Sequence, residues 1–187
     1  MTGASRRAQI PANEPDDATV LSRIAKGELA LLGTLYDRYG AQLRRICRRV
    51  AGEHEAADIV HTAFLRVIAL AGSYDARGAS ARPWLVAIVL KVAQEHRRSV
   101  RRWGEAMLGF ALQPRRHAAT IPEARTDLDQ CLMKLSPPKR TVLVLAEVEG
   151  FTCDEIASML SIPIGTVWTR LHHARRELRL SYRGEDE

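Results

Sequence analysis

Aromatic residues make up only 5% of this 187-residue chain, and its 12 glycines are scattered rather than clustered. The glycine-rich turn of a dinucleotide fold, a phosphate-binding loop and a GxSxG nucleophile elbow are all absent. The three cysteines, Cys47, Cys131 and Cys153, are odd in number, far apart and form no CxxC pair. That pattern argues against a disulfide framework or a structural zinc site. No run approaches 18 apolar residues, so no membrane-spanning segment is expected. Met1 to Asp17 has no apolar h-region and is rich in Pro, Asp and Arg. It does not read as a signal peptide, and the expectation is a cytoplasmic protein without membrane insertion. No set of nucleophile, base and orienting group is apparent, so the chain does not read as an enzyme, and no cofactor or metal is implied.

What is present is a hydrophobic content of 46% with 27% charged residues, enough to bury a core in one domain or two small ones. The net charge of +6 is unevenly spread. Residues 91–116 hold seven basic and two acidic side chains, whereas residues 117–187 hold nine and eleven. A basic patch of this kind is an electrostatic footprint for a polyanion.

Almost every periodic segment reads as helix, and no stretch shows strand alternation with hairpin turns. Helices are expected from about Asp17 to Lys26, Glu28 to Ala51, Glu53 to Leu70 and Pro83 to Trp103. In the third, Val60, Phe64, Val67 and Ala71 form a buried stripe, with Asp58, His61, Thr62 and Arg66 opposite. Residues 72–82 form a loop, and Trp84 is read as a core residue. A second helical unit starts near Glu123, with Leu128, Cys131, Leu132 and Leu135 as its apolar stripe. Ser136-Pro137 opens a helix reaching Glu149, and Thr152 with Glu155 forms a capping box. After the turn Ser161-Ile162-Pro163, a last helix runs from Ile164 to Tyr182. The fold class is therefore all-α, with two small helical domains joined by a flexible linker. The expected boundaries are a disordered tail at 1–16, a first domain at 17–103, a linker at 104–122, a second domain at 123–182 and a tail at 183–187.

Residues 152–180 have helix-turn-helix spacing. Ile156, Leu160, Ile162 and Val167 supply a shared core, and Ala157 permits close helix approach. Val167, Leu171, Ala174 and Leu178 face inward, leaving four arginines against Glu177 on the remaining surface. A basic helix on an otherwise neutral domain suits the DNA major groove; from spacing alone, a solvated helix of a bundle fits as well.

The stretch LSPPKRTVLVLAEVEGFTCDEIASMLSIPIGTVWTRLHHARRELR (135–179) closely resembles the −35-reading domain of bacterial σ70-family factors, most of all their extracytoplasmic-function class. The stretch AADIVHTAFLRVIALAGSYDARGASARPWLVAIV (56–89) resembles the core-binding and −10-melting domain of the same family. The resemblance implies a σ2-like domain, a linker and a σ4-like domain. It implies docking on the β′ clamp helices and β flap of core RNA polymerase, with promoter DNA and an anti-σ factor as further partners.

Carried over residue by residue, the resemblance assigns polymerase binding to Asp58, His61, Thr62, Leu65 and Arg66. It assigns the −10 strand to Tyr74, Asp75, Arg77, Lys91, Arg97, Arg98, Arg101 and Arg102. It assigns −35 base edges to Thr166, Trp168, Thr169, His172 and His173, and phosphates to Arg170, Arg175 and Arg176. The chain departs from the family pattern at several points. His61-Thr62 stands for Gln-Glu, Lys91 and Glu95 for Asn and Asp, and Trp168 and His173 stand where basic residues are frequent. Two other readings stay open: a stand-alone helix-turn-helix regulator, and a σ-like decoy that binds partners without melting DNA.

Overall fold

A computed structural model describes residues 15–77, 80–108 and 127–183, and among these it contains helices and no strand. Helix α1 (Asp17–Ala25) is capped by Asp16, whose carboxylate accepts the Thr19 N–H at 2.7 Å. Helix α2 (Leu31–Ala51) begins three residues later than the apolar pattern suggests. Gly27 turns the chain at φ +100°, and the Arg23 guanidinium grips Glu28 across that turn at 3.0 Å, holding residue 28 outside the helix. Helix α3 (Glu53–Leu70) follows after Gly52, whose φ of +116° suits glycine; a Cβ there would lie 3.0 Å from the Glu55 carboxylate.

The first core forms as the spacing predicts. Leu35, Tyr39, Leu43, Ile46 and Val50 of α2 are buried with Val60, Phe64, Val67 and Ala71 of α3 and its following turn. Helix α4 (Arg82–Leu108) closes this unit with Leu85, Val89 and Val92. It runs on through Gly104, so residues 104–108 of the expected linker are helical. The rest of that linker, 109–122, and most of the two expected tails lie outside the described residues.

Asp17 lies at the centre of this unit, 4% exposed. Its carboxylate accepts from the Tyr39 hydroxyl and from the Ala81 N–H (2.8 Å), and pairs with Arg38 at 3.0 Å. One side chain thus ties α1 to α2 and to the segment that launches α4. The stretch Glu53–Ser73 is long and apolar enough to cross a membrane by length and composition. In this fold its apolar side is covered by α2 and α4.

The second unit comprises α5 (Asp127–Lys134), α6 (Pro137–Leu143), α7 (Cys153–Leu160) and α8 (Ile164–Arg183). Leu128, expected in the apolar stripe, is 37% exposed in the first turn of a short helix, whereas Cys131, Leu132 and Leu135 are buried. The single helix expected from Pro137 to Glu149 instead widens into a π-helical turn at Val144–Val148. There the Glu149 N–H reaches back to the Val144 carbonyl at 3.0 Å. Glu149, at the end of this turn, finds its partners on α2 and α4.

The two units pack face to face, with α7 along α4 and with α5 and α6 against α2. Arg82 of α4 donates to the Glu149 carboxylate at 3.0 Å and lies 4.2 Å above the Phe151 ring; Gln42 donates to the same carboxylate at 2.7 Å. Arg140, 5% exposed, donates to the Val50 carbonyl at 2.8 Å.

Candidate nucleic-acid and protein interfaces

The helix-turn-helix is built by local chemistry. Thr152 accepts the Glu155 N–H while the Glu155 carboxylate accepts the Thr152 N–H, so both halves of the capping box are made. Ser161 ends α7 in the left-handed region at φ 52°, and the Ile162 N–H bonds the Ala157 carbonyl at 3.1 Å. The chain then enters α8, where Val167, Leu171 and Ala174 are buried and Leu178 is partly so.

With that stripe facing inward, helical geometry puts Thr169, His172 and Arg176 opposite it, and all three are exposed. Trp168 is 57% exposed on one flank. The His172 and His173 rings meet edge to face with centroids 5.6 Å apart. Thr169 also donates its hydroxyl to the Gly165 carbonyl at 2.9 Å. Thr166 is half-buried. Arg175 is engaged by Glu147 at 2.9 Å, and Arg170 turns into a cavity between the two units. The structure therefore keeps five of the eight assigned residues, Trp168, Thr169, His172, His173 and Arg176, on one open surface.

The residues assigned to the −10 strand are more dispersed. Asp75 and Arg77 bind one another in the loop (2.9 Å), and that guanidinium holds the Asp75 carboxyl down at about 2. Tyr74 packs its ring edge to face on Trp84 at 5.3 Å. Trp84 is half-buried, more open than a core residue, because it sits where the two units face each other. On α4, Lys91, Arg98, Arg101 and Arg102 are exposed, whereas Arg97 is half-buried and its Nη1 has no acceptor.

The residues assigned to polymerase binding share one face of α3. Asp58, His61 and Thr62 are exposed, and Leu65 is 68% exposed. Arg66 pairs with Glu95 of α4, and this guanidinium draws the Glu95 carboxyl below its ordinary range. Tyr36 of α2, absent from the sequence reading, joins this face. It is 41% exposed, stacks on His61 at 6.4 Å and meets Phe64 at 5.1 Å. Its ring lies over Gly40, where a Cβ would come within 3.3 Å. An exposed tyrosine packed on this face and an exposed leucine within it give the face apolar area suited to a protein partner.

Two family models match the chain: "Sigma-70 region 2" over residues 35–103 and "Sigma-70, region 4" over residues 125–178. The ECF RNA polymerase sigma factor SigL of Mycobacterium tuberculosis is 32% identical over 168 residues, covering 86% of this chain and 94% of the relative. SigW of Bacillus subtilis, of the same description, is 27% identical over 177 residues, covering 87% and 95%. Among solved structures, the sigma factor RpoE in complex with the anti-sigma factor NepR from Bartonella quintana superposes with a TM-score of 0.61. It is 22% identical, covering 82% of this chain and 93% of that one, and the likeness is one of fold.

Proposed function

The chain belongs to the extracytoplasmic-function class of the σ70 family, and on that premise we propose that it directs core RNA polymerase to promoters as a non-enzymatic initiation factor in the cytoplasm. The observation that carries this reading is the coexistence, in one chain, of a solvent-facing reading helix and a separate basic helix. In α8, Thr169, His172 and Arg176 stand opposite the buried stripe, positioned for the −35 duplex. In α4, Arg98, Arg101 and Arg102 present positive charge that suits the phosphates of a separated −10 strand. The α3 face with Leu65, His61 and Asp58, extended by Tyr36, docks on the polymerase clamp. Residues 17–103 and 123–182 act as the σ2-like and σ4-like domains on either side of the linker, and the second domain meets the β flap. An anti-σ factor holds the chain inactive, a reading supported by the fold shared with a relative solved in such a complex.

The test combines the purified chain with core RNA polymerase and fragmented DNA from its source genome, followed by sequencing of transcript 5′ ends. Discrete start sites sharing two upstream motifs are expected, absent with core alone and reduced at least tenfold by the Arg98→Ala and Arg101→Ala pair. Polymerase binding without start sites would turn the reading toward a decoy. Binding to duplex DNA with no affinity for polymerase would sink it.

A further inference from the structure

Between α4 and the helix-turn-helix lies a cavity of about 470 Å³. Its wall carries Lys91 and Arg97 from α4 and Arg170 from α8, and no carboxylate among the described residues. The nearby acids are engaged or face elsewhere. Glu95 pairs with Arg66, Glu55 lines a smaller hollow that shares Arg97, and Asp154 and Glu155 line a shallower adjoining groove. Arg140, next in sequence to the wall residue Thr141, is not itself part of the lining and adds positive charge behind it. Its Nη2 donates to the Val50 carbonyl and its Nη1 contacts the Met133 sulfur at 2.9 Å, but its buried Nε has no acceptor. Arg97 Nη1 is also buried without an acceptor.

Burial draws the Arg97 guanidinium below its ordinary pKa range. Burial first, and then the charge of Arg97, does the same to Arg140. Two mutually repelling guanidinia, each with an empty donor, are costly in a packed interface, and an anion in the cavity offsets that charge. We propose that this cavity is a phosphate-binding site shared by Lys91 and Arg97 of the first unit and Arg170 of the second. A phosphate group offers several charged oxygens to guanidinium forks and to a lysine at once. Arg97 already forms part of the wall, so a rotation of its side chain brings Nη1 to the void. The volume exceeds that of one phosphate, and Trp84 and Met159 supply an apolar wall that a nucleoside would fit. The occupant fastens the two units together and withholds Lys91 and Arg97 from DNA; only this last consequence rests on the proposed promoter function.

The experiment uses the full chain without polymerase or DNA, so its outcome is independent of that function. Calorimetric titration with potassium phosphate and with ATP is compared with potassium chloride, potassium acetate and adenosine at matched ionic strength. Saturable one-to-one binding of phosphate is expected, weakened about tenfold by Arg97→Gln and by Lys91→Gln. Tighter binding of ATP than of phosphate identifies a nucleotide occupant, and equal binding a free phosphate. Lys91 is exposed, so its variant remains informative should Arg97→Gln perturb folding. Equal effects of chloride or acetate, or phosphate binding unchanged in the folded Lys91→Gln variant, would overturn the site.

Discussion

Asp17 combines near-complete burial with three partners drawn from three parts of the chain. Replacing it with alanine removes the acceptor shared by the Tyr39 hydroxyl, the Ala81 N–H and Arg38 Nη1, while Arg38 Nη2 keeps the Pro15 carbonyl. A loss of about 3 kcal/mol is expected, measured by urea unfolding. Tyr39→Phe removes one hydrogen bond and is expected to cost about 1 kcal/mol. The Tyr39 hydroxyl is raised by burial and then by Asp17, so it remains a donor across the working pH range. The cysteines give a second test. Burial pushes the Cys47 thiol up to about 12 from 9.0. A raised thiol pKa favours the folded state fully below pH 9.0, and that contribution fades as pH rises toward 12. At pH 8, iodoacetamide should label the partly exposed Cys153 and spare Cys47 and Cys131 until urea unfolds the chain. Mass spectrometry of the alkylated peptides reads the order; early labelling of Cys47 would refute the burial. The exposed Asp58, His61 and Thr62 were legible from helical period alone. Tyr36 was not, because its partners His61 and Phe64 lie on another helix and no local spacing announces them.

The helix-turn-helix depends on its capping box and on one left-handed residue. Thr152→Ala removes the side-chain acceptor for the Glu155 N–H, and a loss of about 1 kcal/mol is expected by thermal or urea unfolding. Ser161→Val places a β-branched side chain at φ 52° and should cost about 1–2 kcal/mol. A stability equal to the parent would show that the turn relaxes out of the left-handed region. The capping box and the α8 stripe were readable because their signals lie within a few residues of one another. The late start of α2 was not, since it depends on Arg23 reaching Glu28 beyond the turn at Gly27. The widened turn at Val144–Val148 escaped for a related reason: its apolar residues suit an α-helix, and its shape is coupled to Glu149 finding Arg82 and Gln42.

Two helical units could be read from the chain, but their face-to-face packing could not. Gln42 and Arg82 meet Glu149, and Val50 meets Arg140, across sequence separations that carry no periodic signal. Arg82→Ala removes the Glu149 ion pair and the cation above Phe151 together. The full chain should then show a larger radius of gyration by small-angle scattering; an unchanged radius would mean that the remaining contacts hold the closed form. The widened turn at Val144–Val148 gives this packing an unusual genetic tolerance. Loss of a single codon there removes the extra residue and restores ordinary helical winding, so Glu149, the capping box and α8 keep nearly the same orientation. A lineage could thus lose this turn in one in-frame deletion and retain both the clasp between the two halves and the reading helix.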